Sequence, residues 1–244
     1  MTRISVCIAT YNGEKYIKEQ LDSILNQLSY CDELIISDDH SDDNTVSIIN
    51  EYKDSRIKVF YNQSERGYTN NFCNALSKAK GEYIFLSDQD DIWLPEKVEI
   101  TLKKLQNYDF VVSDAKTANS SFEIISNSRF EEFDIDTGFL RNFIKSRYIG
   151  CCMAFNRKVL LSIFPFPQNT EYAPHDTWIT LVSEFYFRTS KIEQPLIIYR
   201  RHGNNASDGG YSKGRSLQKK LVSRYYCLRA LLQQRKNIKK IHSF

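Results

Sequence analysis

No stretch of this 244-residue chain approaches the roughly 20 consecutive apolar residues that a bilayer-spanning helix needs, so a membrane-spanning helix is excluded. The N-terminus carries no signal-peptide pattern and opens on a strand pattern at Ile4, which predicts a cytoplasmic protein. The six cysteines, at 7, 31, 73, 151, 152 and 227, lack metal-ligand spacing. They are expected as reduced core thiols, and only the adjacent pair Cys151-Cys152 invites a redox reading. Internal repeats, low-complexity tracts and linkers are absent as well. Acidic residues vanish after Asp208, while ten of the 33 Lys and Arg follow it, leaving 23 basic against 30 acidic residues in the remainder. An acidic body with a basic tail predicts an anionic surface as a partner for the tail.

What is present fits one large or two small soluble domains with a full core: 41% hydrophobic and 26% charged residues. Ile4 to Ala9 is a nearly continuous apolar run, as expected of a strand buried on both faces. Thr10-Tyr11-Asn12-Gly13-Glu14 breaks it, and Ile17, Leu21, Ile24, Leu25 and Leu28 then fall at helical spacing. The unit recurs with strands at 33–37, 56–61 and 82–87, each followed by a helical pattern. Alternation at this spacing predicts right-handed crossovers and a mostly parallel sheet covered by helices on both faces.

Further on, the spacing predicts a helix starting at Pro95, a strand over 109–113, an irregular polar loop over 114–136, a short helix around Leu140 to Ile144, a strand over 149–155 and a helix over 157–164. A helix follows Ala173-Pro174-His175-Asp176, and a strand covers 195–199. The predicted division is a domain over 1–208 and a basic amphipathic helical tail over 209–244, with Leu217, Leu221, Tyr225, Leu228 and Leu232 on one face. That tail, entering the interface with Tyr225 and Tyr226, suits peripheral contact with the inner membrane surface. Packing on the chain's own domain, or oligomerisation through the helix, is the alternative. No nucleic-acid-binding motif accompanies it.

Ligands of such sheets bind beyond the carboxyl ends of the strands, where this chain places polar loops. The densest is Ser87-Asp88-Gln89-Asp90-Asp91-Ile92-Trp93. Its three carboxylates within four residues suit a hard divalent cation bound together with a substrate diphosphate. They equally suit an acidic cap on the helix that follows. A nucleotidyltransferase is disfavoured because the first loop lacks a Gly-rich phosphate cradle with Arg or Lys.

Taken in order, Thr10-Tyr11-Asn12-Gly13, Asp38-Asp39, Gly67 with Asn70 and Asn71, Asp88-Gln89-Asp90-Asp91 and His175-Asp176 resemble the inverting family 2 nucleotide-sugar glycosyltransferases with the GT-A (Rossmann-like) fold. The similarity covers roughly residues 3–205. Asp-Gln-Asp-Asp-Ile-Trp and Tyr-Arg-Arg-His-Gly-Asn-Asn are most similar to rhamnosyltransferase-like members that build bacterial surface polysaccharides such as O-antigen.

The resemblance implies a hexosyltransferase-type enzyme that uses Mn2+ or Mg2+ and a dTDP- or UDP-sugar, with a glycan or lipid-linked acceptor. It implies donor binding by Thr10, Tyr11, Glu14, Asp38, Asp39, Gly67, Asn70, Asp88, Gln89, Arg200 and His202. Metal ligation falls to Asp90, Asp88 and His202, the general base to Asp176, and acceptor contacts to His175 and Trp178. Plainer roles stand beside these: helix capping for Asp38 and Asp39, core packing for Trp93 and Trp178, packing or capping for His175, and a solvated turn for Arg200. A homologue that binds a nucleotide sugar or glycan without turnover is the alternative function. The donor sugar, acceptor and linkage are not legible in the residues.

Overall fold

The computed structural model of the chain describes residues 3–203 and 216–241. The expected domain boundary at 208/209, the motif residues Asn204 and Asn205, and the basic residues Lys213 and Arg215 lie outside the described residues.

The first half repeats strand and helix: β1 (Ile4–Thr10), α1 (Ile17–Leu25), β2 (Glu33–Asp38), α2 (Thr45–Glu51), β3 (Ile57–Tyr61), α3 (Tyr68–Lys78) and β4 (Tyr83–Asp88). Every residue of β2 and all but one of β1 are buried, which is why both appear as unbroken apolar runs. The second half holds β5 (Ile92–Trp93), α4 (Lys97–Leu105), β6 (Phe110–Ala118), β7 (Ile124–Ser126), α5 (Arg129–Phe133) and α6 (Phe139–Lys145). A 3-10 turn (Gly150–Cys152), β8 (Met153–Asn156), α7 (Arg157–Ile163), α8 (His175–Tyr186), β9 (Thr189–Arg200) and α9 (Leu217–Ile241) complete it.

The strands form one sheet in the order β3-β2-β1-β4-β8-β6-β9-β5, with β7 paired to β6. β3, β2, β1 and β4 are mutually parallel, and β6 runs parallel to β9. The sheet is nevertheless mixed, because β8 lies antiparallel between β4 and β6, and β5 pairs antiparallel with β9. The carboxyl ends of β1, β2, β4, β6 and β9 therefore share one rim, where the polar loops gather.

Three expectations need correction. Residues 114–136 are not an irregular loop: β6 runs on to Ala118, and β7 and α5 follow. Buried Asp114 hid this, because its polarity interrupts the apolar pattern. Its Oδ1 accepts from Ala115 N and Phe130 N and its Oδ2 from Ser128 Oγ, so the carboxylate is the anchor of α5 at a register shift in β6. Residues 150–152 of the expected strand form the 3-10 turn instead. The third concerns Pro95, which stands before α4 and not at its first position; Glu96 precedes the helix in the left-handed region (φ 65°), and Ile92-Trp93 pairs with β9.

The tail helix α9 packs on the domain, the alternative given above, and does so through a face other than the leucine stripe. Ser223, Cys227, Leu231, Gln234 and Ile238 are buried. Ser223 Oγ donates to Tyr172 O (2.6 Å), Gln234 Nε2 to Ser162 O (2.7 Å), and Tyr186 Oη to Leu231 O (2.7 Å). Small and amide side chains allow close approach and satisfy the carbonyls of Tyr172 and of Ser162 in the last turn of α7, which Leu could not. Tyr226 turns inward, its hydroxyl accepting from Asn169 N (3.0 Å), so only Tyr225 of the expected pair faces outward. No described helix is long and apolar enough to cross a membrane.

Candidate functional site

A cavity of about 680 Å3 opens on the shared rim. Its walls come from the ends of β1 and β4, the β2 loop, the start of α3, the 3-10 turn and the start of α8. The β1 loop is held against the β2 loop by Asn12 N donating to Ser41 Oγ (3.0 Å), Gly13 N to Thr45 Oγ1 (2.7 Å) and Glu14 N to Asp43 Oδ2 (3.1 Å). Asn12 (φ 48°) and His40 (φ 61°) both take left-handed backbone there, a strain this network maintains.

Of the two adjacent aspartates, Asp38 at the end of β2 points inward and Asp39, the first residue of the loop after it, lines the cavity. Asp38 is fully buried, accepting from Thr10 Oγ1 (2.8 Å), Ser41 N (2.8 Å) and Ser41 Oγ (2.6 Å). Asp39 lines the cavity, its carboxylate fixed by Asn62 Nδ2 and Gly67 N, each donating at 2.7 Å. Gly67 adopts φ 134°, which a side chain would resist, at the start of α3. Tyr11 and Arg66 line the same end, with the guanidinium 5.9 Å from the ring centroid.

At the end of β4, Gln89 bridges the loops: Oε1 accepts from Tyr11 N and Nε2 donates to Tyr11 O, both at 2.9 Å. Asp88 and Asp90 line the cavity. Burial, then the neighbouring Asp90 and more distant Asp176, push the Asp88 carboxyl up from its ordinary range. Asp91 is wholly buried and is likewise pushed well above the ordinary carboxylate range by burial, then by Asp90 and Asp88; its Oδ1 accepts from Arg200 N (3.0 Å) while Oδ2 has no hydrogen-bond partner. Fully buried Lys97, its amine 5.0 Å from the Trp93 ring centroid, lies near this loop; burial lowers its amine, and Asp91 is among the groups that act against that shift.

His202, 112 residues from Asp90 in sequence, meets it in space: Nε2 lies 2.8 Å from Asp90 Oδ2, and the ring stacks on Tyr16 at 4.6 Å. Ligand atoms of Asp88, Asp91 and Cys151 also fall within 4.8 Å of one another. Proximity alone favours that trio, yet burial raises the Cys151 thiol, which disfavours the thiolate a metal would take. The carboxylates that face the cavity, with the His202 imidazole, form the better donor set for a hard cation.

Asp176 sits half-buried in the first turn of α8 and lines the cavity. Beside it His175 is buried against the Phe72 ring (centroids 4.2 Å apart), burial lowers its imidazole, and neither ring nitrogen has a hydrogen-bond partner. A Cβ on Gly150 would come within 2.8 Å of His175 Nε2, so glycine lets the 3-10 turn close over the ring.

The cavity thus brings together Thr10, Tyr11, Asp39, Gly67, Asp88, Gln89, Asp90, His175 and Asp176. The structure places five expected site residues elsewhere. Glu14 Oε2 accepts from Asn44 N and Nδ2 at the start of α2. Asp38 is internal, as described. Asn70 Nδ2 donates to Glu65 O, whereas Asn71 lines the cavity. Arg200 pairs with Glu19 (2.6 Å) between the Tyr16 and Phe122 rings, and is buried. Trp178 is a core residue whose Nε1 donates to Ile163 O (2.8 Å). Sequence reasoning gave no role to Arg66, Asn71 or Tyr199, which line the cavity. Each carried a signal: Arg66 its place in a polar strand-end loop, and Asn71 and Tyr199 their places inside the quoted motifs.

Relatives share this frame. The chain is 32% identical over 168 residues to the UDP-Glc:alpha-D-GlcNAc-diphosphoundecaprenol beta-1,3-glucosyltransferase WfgD of Escherichia coli, covering 67% of this chain and 64% of that protein. It is 29% identical to the dTDP-rhamnosyl transferase RfbG of Shigella flexneri, covering 81% and 72%. The chain therefore spans just under two thirds of the first relative's length. Its fold is similar to that of the mannosyltransferase PcManGT from Pyrobaculum calidifontis, solved with GDP-Man and Mn2+ (TM-score 0.61, 18% identity, 98% of this chain and 73% of that one). The family model described as Glycosyl transferase family 2 matches residues 5–164, about two thirds of the chain, and the protein belongs to that family.

Proposed function

We propose that this chain is a metal-dependent inverting glycosyltransferase. It takes a pyrimidine diphosphate sugar, UDP- or dTDP-linked, and transfers the sugar to a lipid-linked or oligosaccharide acceptor in bacterial surface polysaccharide synthesis. The observation that carries the reading is the convergence on one cavity of Asp39, of Asp88 and Asp90 with His202 on Asp90, and of Asp176. The E. coli relative's name specifies a UDP-sugar and a diphosphoundecaprenol acceptor, and the Shigella relative's a dTDP-sugar; both support the substrate class.

In this reading Asp39, held rigid by Asn62 and Gly67, accepts from the base N–H, with Tyr11 and Arg66 against the ring. A divalent cation held by Asp88, Asp90 and His202 would neutralise charge on the diphosphate. Asp176 removes the proton from the acceptor hydroxyl as its oxygen bonds to the anomeric carbon. The bond from that carbon to the diphosphate breaks on the opposite face, and the configuration inverts. His175, buried and with both ring nitrogens open, offers a hydrogen bond to a sugar hydroxyl.

Purified chain, Mn2+ or Mg2+ and a panel of UDP- and dTDP-sugars provide the test. A donor at about a hundred times its Kd adds about 2.7 kcal/mol of apparent stability and raises the melting temperature by roughly 5–10 °C. Asp176→Asn should keep that shift and lose turnover by about 10²–10⁴-fold, whereas Asp90→Ala should lose the metal dependence of the shift. Absence of any donor shift or turnover across the panel, with Asp90→Ala behaving as the parent, overturns the proposal. Donor binding without turnover in the parent replaces it with a binding homologue.

A further inference from the structure

The face of α9 turned away from the domain is apolar. Leu217, Leu221, Tyr225, Leu228 and Leu232 are 38–74% exposed. At 100° per residue they occupy an arc of about 80° and a length of about 22 Å. Leu140 and Ile144 on α6 are both 73% exposed, and Arg224 Nη2 donating to Ile144 O (3.0 Å) ties the end of α6 to α9. Buried surface elsewhere on α9 already accounts for its attachment, so this stripe is not needed for folding the helix onto the domain.

Charge around the patch has one sign in excess. Lys220, Arg229 and Arg235 on α9 and Lys145 on α6 are exposed, and no acidic residue follows Asp208. Acids around α6 and α9 are paired: Glu171 with Lys219 (3.2 Å), Asp134 with Arg141 (2.5 Å) and Asp136 with Lys191 (3.4 Å). A two-fold contact with a second copy would oppose this basic surface to itself. We propose that the α9–α6 face lies on an anionic bilayer surface, with the leucines and Tyr225 entering the interface and the flanking Lys and Arg at the headgroups. The proposal does not depend on which donor the cavity takes.

Flotation of the full chain with vesicles of phosphatidylethanolamine and phosphatidylglycerol, and with vesicles of phosphatidylcholine alone, tests it. Binding is expected to the anionic vesicles, at least about tenfold above phosphatidylcholine, because several charges contribute about fivefold each. The double variants Leu221→Asp with Leu228→Asp, and Leu140→Asp with Ile144→Asp, should each reduce partition at least about tenfold. These sites are exposed and outside the cavity, so the donor-induced rise in melting temperature should persist. That control separates a failure of this surface from a failure of the proposed reaction. Lys220→Gln with Arg229→Gln should weaken binding to anionic vesicles only. A parent that does not float, or double variants that float like the parent, overturns the proposal. So does a dimer in light scattering that Leu221→Asp dissociates, which would assign the face to a second copy.

Discussion

Gln89 joins the β1 and β4 loops at the cavity, and its two bonds to Tyr11 are of opposite polarity. Oε1 accepts from Tyr11 N and Nε2 donates to Tyr11 O, each at 2.9 Å. The amide lies so close to Gly13 that a Cβ there would come within 2.4 Å of Oε1. Each bond contributes about 0.5–1.5 kcal/mol, so Gln89→Ala should cost about 1–3 kcal/mol and lower the melting temperature by roughly 2–12 °C. Gln89→Glu keeps size and the acceptor but turns the donor into a second acceptor facing the Tyr11 carbonyl. It also inserts a like charge between Asp88 and Asp90, adding on the order of 1–2 kcal/mol of repulsion. The expected order of stability and donor affinity is therefore Gln, then Ala, then Glu. Because Tyr11 lines the cavity, donor Kd should weaken about tenfold for Ala and further for Glu, with kcat changed less than KM. Thermal melts without ligand and calorimetric titration with UDP- or dTDP-sugar read these quantities. A Glu variant that melts with the parent and binds donor equally well would refute the clamp, since no arrangement of a carboxylate reproduces the lost donor.

Other expectations follow from the same geometry. The raised Asp88 carboxyl, at about 7 against an ordinary 3.8, means that the native chain holds a proton that the unfolded chain releases. Its stability contribution is complete below 3.8 and is lost as pH rises through about 7, on the order of 2–4 kcal/mol. His175, lowered from 6.5, acts in the opposite sense below that value, so the clear window is pH 6.5 upward, where the last part of the Asp88 loss, on the order of 1 kcal/mol, should lower the melting temperature of the metal-free protein and Asp88→Asn should flatten the fall. A parent profile that is flat over this interval, by calorimetry, contradicts the assignment. Truncating Trp178 to Ala should cost about 3–5 kcal/mol, and Trp178→Phe about 1–2 kcal/mol through the unpaired Ile163 carbonyl, with acceptor KM unchanged in the Phe variant. An altered acceptor KM at unaltered melting temperature would return Trp178 to the acceptor site. Finally, His202→Ala should weaken Mn2+ binding, read directly by calorimetry on the donor-free protein, at least about tenfold; unchanged affinity would remove His202 from the ligand set.

The sheet's first half was legible because β1, β2 and β4 are covered on both faces, so burial writes itself as continuous apolar sequence ended by polar loops. The ordered polar motifs likewise located the loops that meet at the cavity. Local pattern could not distinguish Asp38 from Asp39 or Asn70 from Asn71, since one step along a strand or helix turns a side chain from cavity to interior. Nor could it show β6 continuing past Asp114, whose buried carboxylate is satisfied by backbone amides and Ser128 from α5 and the loop before it.

The tail illustrates the division most clearly. Its helical periodicity and basic charge follow from sequence alone, but two faces of α9 were open to the core. Carbonyls presented by Ser162 and Tyr172 selected the face with Gln234 and Ser223, leaving the leucine stripe outside. The acidic loop shows the same limit from the other side. Asp88 to Asp91 announced a cation or a helix cap by composition, and only folding brought the β9 end across to it, setting His202 on Asp90 and the Arg200 amide on Asp91. Spacing along the chain determines elements and the chemistry they carry; which side chains meet is decided by long-range packing and hydrogen-bond satisfaction, which no local window contains.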